Sequence, residues 1–297
     1  MENIDVLNIL IYIIINYSGY SIIIIFKLLF ITTFPLGYHI LQLFLSNICL
    51  ILLIIIRSTN IYVSNDHPKN IEPNPNLTST EKVVGENDPI IKFNLKNEGC
   101  DICKIDRLPL RSHHCEVCNR CVKCYDHHCW ALAGCIGENN RLMFLFFLIL
   151  QNCSIDCSLI SIIILLKEQR NESLRYFLTF YFSLICLFSI IFKFVLIYHS
   201  YLFFTNQTNF EIFNEDKCTY ITIYSNERNK FIQQRGINIG DVIRYRPFDV
   251  GFKRNFWMFF EQIFIKDKKG INWENIFYEN IKKTSIQNSC CGKENKI

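Results

Sequence analysis

Four long apolar runs constrain this chain more than any other feature of its sequence. They cover residues 6–30, 34–56, 142–166 and 176–204. Each is longer than the roughly 20 apolar residues that an α-helix needs to cross a bilayer. Together they contain only three charged side chains, Lys27, Asp156 and Lys193. The runs therefore predict an all-α integral membrane protein with a four-transmembrane-helix bundle.

The first run could instead be the apolar part of a cleaved signal peptide. However, Glu2 and Asp5 precede it, and no small-residue cleavage site follows, so a helix that stays in the membrane is the favoured interpretation. Lys and Arg are frequent in residues 57–141 and 205–297. By the positive-inside rule, both segments and both termini of this multi-pass protein are expected to be cytosolic. The net charge of +4 gives no reason to expect nucleic-acid binding.

Two of the charged residues lie well inside their predicted helices. At about 1.5 Å per residue, Asp156 lies roughly 21 Å from the cytosolic start of its helix. Lys193 lies about 5 Å below the cytosolic surface of a ~30 Å apolar core. This difference in depth predicts that the two side chains do not pair. Lys193 is expected to extend toward the interface, and Asp156 to face the bundle interior with Gln151 and Asn152.

The C-terminal tail, residues 205–297, is mostly polar apart from an amphipathic segment at residues 251–265. The apolar side chains that fall on one face of a helix here are Phe252, Phe256, Phe259, Phe260 and Ile263. Such a helix either lies on the membrane surface or packs inside a small cytosolic subdomain. The sequence leaves both alternatives open.

A dense stretch of cysteine and histidine, Cys100–Asn140, lies between the second and third apolar runs. It contains eight of the chain's 15 cysteines and four of its seven histidines. The cysteines are grouped as C-x2-C pairs beside histidine, which favours closed zinc sites over disulfides. If each of two zinc ions binds three cysteines and one histidine, two cysteines remain, and spacing alone does not fix which.

One cysteine has the neighbours that a nucleophile needs. Cys129 directly follows Asp126, His127 and His128. A histidine can act as the base that generates a thiolate, and a carboxylate can orient that histidine. From these residues alone, a role for Cys129 as one more zinc ligand is an equally good interpretation.

The whole stretch fits the pattern of a known family. Residues from Cys100 to Phe144 resemble the DHHC cysteine-rich domain of protein S-acyltransferases, or palmitoyltransferases, which is expected here at about residues 98–144. The family pattern is C-x2-C, a basic segment with proline, H-C-x2-C-x2-C-x4-D-H-H-C-x5-C, and then G-x2-N-x3-F. In this chain the matching residues are Cys100, Cys103, Arg107, Pro109, Arg111, His114, Cys115, Cys118, Cys121, Asp126, His127, His128, Cys129, Cys135, Gly137, Asn140 and Phe144.

The tail carries two weaker matches to the same family. Thr208 and Glu211 resemble the first and last residues of its TTxE motif, with Asn209 at the second threonine. Asn255, which follows Pro247–Gly251, resembles the asparagine of a C-terminal motif that supports the active site. A cytosolic double-zinc loop between the second and third of four membrane helices also resembles the family's architecture.

The resemblance implies two structural zinc ions and one nucleophilic thiol. The implied ligands are Cys100, Cys103, His114 and Cys121 for one ion, and Cys115, Cys118, His128 and Cys135 for the other. Cys129 would be the nucleophile, with His127 as its base and Asp126 orienting His127. The implied reaction moves a fatty acyl group, palmitoyl above all, from acyl-CoA through acyl-Cys129 to cysteines of membrane-associated proteins. The implied location is an endomembrane such as the Golgi or the endoplasmic reticulum, with the active site on the cytosolic side.

Binding of acyl-CoA would need an apolar cavity for the acyl chain and cations for the phosphates. The candidate residues are Phe144, Phe147 and Trp130 for the chain and the reactive head, and Arg107, Arg111 and His113 for the phosphates. A basic face that meets solvent or lipid headgroups is the alternative interpretation of the cations.

The chain departs from the family pattern next to its predicted nucleophile. The family has Cys-Pro-Trp at this place and an asparagine before the next zinc cysteine. Here Trp130 directly follows Cys129, the proline is missing, and Gly134 replaces the asparagine. The departure motivates one alternative, an acyl-CoA-binding or scaffolding protein with little or no turnover. Another is a membrane-anchored, RING-like zinc adaptor in which Cys129 binds metal or is inert.

Overall fold

The fold is given by a computed structural model that describes much of the chain between residues 36 and 280. The described residues are 36–63, 81–82, 91–92, 94–95, 99–214, 221–225, 230–234, 238–239, 242–243, 246, 248–264, 271–277 and 279–280. The predicted first span, residues 6–30, lies outside the described residues.

The described part is mostly helical. Its α-helices are α1 (Leu36–Ser58), α2 (Arg141–Glu168), α3 (Glu172–Phe204), α4 (Asn209–Phe213) and α5 (Phe252–Phe264), and a short 3-10 helix covers Trp130–Leu132. Three of the described helices, α1, α2 and α3, are long and apolar enough to cross a membrane. Three candidate spans are thus present where the sequence predicts four, because the first predicted span is not among the described residues.

The strands are short and form small sheets. They are β1 (Glu81–Lys82), β2 (Ile91–Lys92), β3 (Asn94–Leu95), β4 (His113–Cys115), β5 (Arg120–Val122), β6 (His127–Cys129), β7 (Gly134–Ile136), β8 (Ile221–Ser225), β9 (Lys230–Gln234), β10 (Asn238–Ile239) and β11 (Val242–Ile243). Strands β3, β8 and β9 form a three-stranded sheet, and the others pair as β1–β2, β4–β5, β6–β7 and β10–β11.

The chain divides into two compact units, and the first holds the membrane helices. Its described residues are 36–60, 128–136 and 140–201. Its apolar core, called here the helix-end cluster, contains the buried residues Cys49, Leu53, Ile56, Leu132, Ile136, Phe144, Phe147 and Leu148. These residues come from the second half of α1, the start of α2 and the loop after Cys129. The loop after Cys129 therefore packs against the ends of α1 and α2.

Asp156 and Lys193 form an ion pair, and the prediction from depth was wrong. Lys193 Nζ lies 2.5 Å from Asp156 Oδ1 and 2.6 Å from Ser189 Oγ. The depth argument compared backbone positions, whereas helical side chains lean toward the N-terminus of their own helix. Because α2 and α3 are joined by only three residues, they run in opposite directions, and the two side chains lean toward each other. Both are about half exposed, so Asp156 does not face the interior, whereas Gln151 and Asn152 are buried.

The second unit contains the metal-binding hairpin and the described part of the tail. Its described residues include 61–63, 99–127, 137–139 and 202–214. Strands β4 and β5 pair antiparallel, which sets His114 opposite Cys121. Residues 61–63 extend this pairing, since Val63 N donates to Cys121 O and Lys123 N donates to Ile61 O, both at 2.9 Å.

Residue 137 must be glycine for the second unit to pack as it does. A Cβ atom at Gly137 would lie 2.7 Å from the Lys123 carbonyl oxygen and 2.8 Å from Val122 Cγ1. The next residue, Glu138, donates its backbone N–H to the same carbonyl at 2.9 Å. The close approach of the two backbones explains the glycine in physical terms.

Candidate functional site

The first cluster of metal-binding side chains is built on the β4–β5 hairpin. It contains Cys100, Cys103, His114 and Cys121, whose ligand atoms all lie within 4.8 Å of one another. His114 Nδ1 lies 3.6 Å from the Cys100 sulfur, 3.3 Å from that of Cys103 and 3.8 Å from that of Cys121. A tetrahedral zinc site with bonds of about 2.3 Å to sulfur separates its ligand atoms by about 3.8 Å. The geometry therefore fits a structural zinc ion.

The second cluster contains the other four ligands that the resemblance implied. They are Cys115, Cys118, His128 and Cys135, again with all ligand atoms within 4.8 Å of one another. The Cys135 sulfur lies 3.5 Å from His128 Nδ1. The C-x2-C pair turns tightly, since Cys118 N–H donates to the Cys115 sulfur at 3.5 Å. Two closed sets of three cysteines and one histidine are typical of structural zinc.

The thiols of the first cluster lie close enough to shift one another's pKa values. Burial raises the pKa of the Cys121 thiol, and the neighbouring Cys100 and Cys103 thiols raise it further. Burial also opposes ionisation of Cys100, but hydrogen bonds from the Cys103 backbone and from neighbouring thiols outweigh it and lower the Cys100 pKa. Three adjacent thiolates repel one another unless a divalent ion compensates their charge. Soft sulfur donors with one imidazole select zinc among the common divalent ions.

Strand β6 carries the residues that are predicted to do chemistry. Alternate side chains of a strand point to opposite faces, so residues 127 and 129 share one face and residue 128 faces the other way. His128 belongs to the second metal cluster. Cys129 is half-buried and packs against the helix-end cluster. Cys129 itself is in neither metal cluster.

The Asp126 carboxylate is held from two sides within the second unit. Its Oδ2 atom lies 2.7 Å from His127 Nδ1. Its Oδ1 atom accepts a hydrogen bond from Asn209 N at 2.8 Å, and its backbone oxygen accepts one from Phe210 N at 3.0 Å. These amides belong to the first turn of α4, whose free N–H groups favour an anion. The side chain is 1% exposed, so the start of α4 fixes the orientation of Asp126 and, through it, of His127.

Helix α4 owes its position to its own capping residues. Thr208 Oγ1 accepts from Glu211 N at 3.1 Å, and Glu211 Oε2 accepts from Thr208 N at 2.9 Å, which makes a capping box. The TTxE-like match in the sequence therefore corresponds to a helix start in the structure. That helix start presents the amides that contact Asp126.

Arg111 is a buried structural residue and not a phosphate ligand, contrary to prediction. Its side chain is 0% exposed. Its Nε and Nη2 atoms donate to the Glu211 carboxylate at 2.7 and 2.9 Å, and Nη1 and Nη2 donate to Asn206 Oδ1 and O, both at 2.9 Å. The guanidinium also lies over the rings of Phe248 and Trp273. These partners leave it inaccessible to a ligand.

The other candidates for acyl-CoA contact lie in different surroundings. Arg107 is partly exposed and lies 3.6 Å from Glu274 across an ion pair. Trp130 is 64% exposed, whereas Phe144 and Phe147 are buried in the helix-end cluster that also contacts Cys129. Their roles remain predictions.

His113 packs against the second unit's own aromatic side chains. Its ring centroid lies 4.1 Å from that of Phe210. Phe210 also contacts the Tyr125 ring and donates its backbone N–H to Asp126. His113 therefore borders the residues that hold the Asp126–His127 pair, and its predicted role toward phosphate remains a prediction.

The remaining match in the tail, Asn255, is a buried connector. Its Nδ2 atom donates to the Phe204 carbonyl oxygen at 2.6 Å and to Asp249 Oδ1 at 2.8 Å. Its Oδ1 atom accepts from Val250 N at 3.1 Å. Asn255 thereby ties α5 and the chain before it to the last residue of α3.

Two residues of the first unit hold the loop that follows Cys129. Arg57 Nη1 donates to the carbonyl oxygens of Leu132 and Ala133 at 3.0 and 3.2 Å. Asn140, which the resemblance had singled out, donates to the carbonyl oxygens of Cys135 and Ile56 at 3.0 and 3.1 Å. Sequence analysis missed Arg57, because one basic residue at the end of an apolar run is expected to be only an interface anchor.

The chain is similar to known proteins of one family. Residues 94–216 match the family model described as DHHC palmitoyltransferase. The chain is 30% identical over 175 residues to Palmitoyltransferase ERF2 of Kluyveromyces lactis, and the aligned segment covers 52% of this chain and 48% of that protein. It is 31% identical over 164 residues to Palmitoyltransferase ZDHHC15 of Homo sapiens, and this aligned segment covers 54% of the chain and 45% of that protein. The chain thus spans less than half the length of these relatives.

Proposed function

Because residues 94–216 match the family model described as DHHC palmitoyltransferase, we propose that the chain is a protein S-acyltransferase with Cys129 as its nucleophile. The observation that carries the proposal is strand β6. Its first residue, His127, has its Nδ1 atom 2.7 Å from Asp126 Oδ2, and its last residue, Cys129, packs against the apolar helix-end cluster. An oriented imidazole two positions before a thiol that packs on an apolar surface suits an acyl chain with a reactive thioester end.

The first half of the reaction loads the enzyme. The Asp126 carboxylate accepts a hydrogen bond from His127 Nδ1, which leaves Nε2 to take the proton of the Cys129 thiol. The thiolate then attacks the carbonyl carbon of the acyl-CoA thioester, and the bond from that carbon to the CoA sulfur breaks. The proton on His127 passes to the departing CoA thiolate, which gives acyl-Cys129 and free CoA.

The second half transfers the acyl group to a protein. His127 takes the proton of a substrate cysteine, whose thiolate attacks the carbonyl carbon of acyl-Cys129. The bond to the Cys129 sulfur breaks, and His127 returns the proton to Cys129. The enzyme is regenerated, and the substrate carries a new thioester.

The zinc ions have a structural part in this proposal. Each would be held by three thiolates and one imidazole, which leaves no open coordination position for substrate. Because His128 and Cys135 flank the nucleophile loop, the second ion would hold both ends of that loop. No chemical step is assigned to either ion.

The acyl chain is proposed to lie against Phe144 and Phe147 of α2, and palmitoyl-CoA is the proposed donor. For the phosphates, Arg107 is the remaining arginine candidate, because Arg111 is internal. We further propose that residues 6–30 form the first of four membrane spans. Both termini and the active site are then cytosolic, and the protein is proposed to reside in an endomembrane.

Transfer of a labelled acyl group tests the proposal. Purified protein is incubated with an alkyne-tagged palmitoyl-CoA, and label that hydroxylamine releases is measured on wild type, Cys129→Ser and a matched control, Cys153→Ser, which removes an exposed thiol of α2. Wild type and the control should be labelled, and Cys129→Ser should not be, with zinc content equal in all three. Persistent label on Cys129→Ser would show that another residue is the nucleophile.

One observation favours a second candidate, an acyl-CoA-binding protein without turnover. Residues Trp130–Leu132 form a 3-10 turn, and Ala133 adopts a left-handed conformation with φ of 50°. A non-glycine residue is strained there, beside the nucleophile. Label on Cys129 that passes to no cysteine-containing acceptor peptide would favour this candidate. A RING-like adaptor has less support, since Cys129 is in neither metal cluster.

A further inference from the structure

Helix α5 has more apolar surface than the described protein around it covers. Asn255 and Phe259 form its inner side and are 0% and 1% exposed. On its outer side, Phe252 is 61% exposed and Trp257 is 54% exposed. Neighbouring large aromatic side chains that remain exposed mark an interaction surface. The two sequence-based alternatives for this helix are therefore not exclusive, because one side packs on protein and the other is still available.

The exposed side chains belong to one continuous strip, called here the α5 aromatic face. It consists of Phe252, Phe256, Trp257 and Phe260. The ring centroids of Phe256 and Phe260 are 5.9 Å apart, and those of Trp257 and Phe260 are 5.2 Å apart. Contacts among these rings hold the strip in one arrangement, so little side-chain freedom is lost when a partner covers it.

The α5 aromatic face begins beside the last residue of a candidate membrane span. Helix α3 is apolar enough to cross a bilayer and ends at Phe204. The Phe204 ring stacks on Phe252 with centroids 4.1 Å apart, and the Phe204 carbonyl oxygen accepts a hydrogen bond from Asn255. Phe203 contacts Phe259 at 5.0 Å. Helix α5 therefore starts beside the last turn of α3.

The charges that the structure describes near the strip balance one another. Lys253 and Arg254 are exposed, and Arg254 Nη2 lies 3.1 Å from Glu279 Oε2. Glu261 is also exposed. Among the residues that the structure describes here, two cations stand against two anions, so the proposal assigns the binding free energy to apolar contact.

From these observations we propose that the α5 aromatic face inserts into the interfacial layer of the bilayer next to the end of α3. Aromatic side chains, tryptophan above all, favour this layer, and a helix that is apolar on one side binds there in the plane of the membrane. The occupant is the lipid itself, with no requirement for an anionic headgroup. This inference rests on α3 as a membrane span and is independent of the acyltransferase proposal.

Tryptophan fluorescence tests the insertion directly. The chain has three tryptophans, and the difference between wild type and Trp257→Phe isolates the emission of Trp257. Full-length protein is reconstituted in phosphatidylcholine vesicles with and without lipids brominated near the headgroup end of the acyl chains. Trp257→Phe keeps an aromatic ring at an exposed position, so it should fold. Trp273→Phe is the matched control, because Trp273 is buried.

The proposal expects the Trp257 emission to be quenched by brominated lipid and protected from aqueous iodide, equally at low and high salt. The Trp273 emission should respond to neither quencher. Quenching of Trp257 by iodide and not by brominated lipid would overturn the insertion. Protection from both quenchers would also overturn it and would indicate that protein covers the strip, which cross-linking between copies of the chain then identifies. Because no acyl-CoA is present, a failed insertion is distinguishable from a failed enzyme.

Discussion

The buried Arg111–Glu211 pair allows a quantitative prediction. Glu211→Gln keeps the shape of the side chain but removes its charge, which leaves the buried Arg111 guanidinium without the carboxylate that accepts two of its hydrogen bonds. Removing one partner of a buried ion pair destabilises a protein by about 3–5 kcal/mol. For a unit of roughly 150–250 residues, about 1 kcal/mol shifts the melting temperature by about 2–4 °C. A loss of 3 kcal/mol then lowers it by about 6–12 °C.

A double-mutant cycle separates the ion pair from simple loss of packing. Arg111→Met keeps an unbranched chain beneath Phe248 and Trp273, and Glu211→Leu removes the opposite charge. Each single variant leaves one buried charge without its partner, whereas the double variant leaves none. The double variant should therefore be less destabilised than the sum of the singles by at least about 2 kcal/mol, near the upper part of the range for contacting pairs.

The assay is thermal unfolding in detergent, followed by tryptophan fluorescence, with the zinc content of each variant measured in parallel. Label from tagged palmitoyl-CoA supplies a second readout. Since Glu211 lies on α4, whose first amides hold Asp126, each single variant should also load Cys129 more slowly. If the effects on stability simply add, the two side chains do not interact in the way described, and the reasoning fails.

Three further predictions concern other parts of the molecule. Cys100→Ala should lose one zinc ion and much of the second unit's stability, because metal binding and folding are coupled in such sites; a chromogenic chelator assay that finds two ions per chain would contradict the ligand set. Arg57→Met should leave two carbonyl oxygens unsatisfied, which destabilises the fold by about 1–3 kcal/mol for each buried group. It should also slow the loading of Cys129, and Arg57→Lys should recover part of the rate. Equal loading rates in wild type and Arg57→Met would show that Arg57 does not position the loop. Lys193→Met should lower the melting temperature of reconstituted protein, because Asp156 then lies within a span without its cation and one central charge costs about 2.5–3.5 kcal/mol. Adding Asp156→Leu should restore the melting temperature. No recovery in the double variant would mean that the two side chains are not coupled.

The sequence predicted best what is encoded locally. The two C-x2-C pairs and their histidines indicated metal clusters, because the ligands come from short segments whose spacing reflects the geometry of the ion. The predicted third span, residues 142–166, lies within α2, which extends to Glu168. A helix continues past its apolar run until its last backbone groups find other partners, so composition alone does not mark its end.

Contacts between distant segments were the ones that the sequence could not supply. Arg111 looked like a solvent-facing cation, because its acidic partner lies 100 residues away and no local pattern announces it. The pairing of Asp156 with Lys193 was missed for a different reason, since depth was counted along the backbone without the direction of the side chains. The matches at Thr208 and Asn255 pointed to residues that are buried in the structure, but their contacts became visible only in three dimensions.

The distance in sequence between Arg111 and Glu211 has a consequence for biosynthesis. Arg111 leaves the ribosome 100 residues before Glu211, and helices α2 and α3 are made in between. If α2 and α3 cross the membrane, as their length and composition allow, both must cross, because a single crossing would leave Arg111 and Glu211 on opposite sides. A chain that inserts one helix and not the other keeps an unpaired arginine in an unfinished domain, which is the kind of defect that cellular degradation removes. With that topology, the Arg111–Glu211 pair would form only in chains whose α2–α3 hairpin is fully inserted.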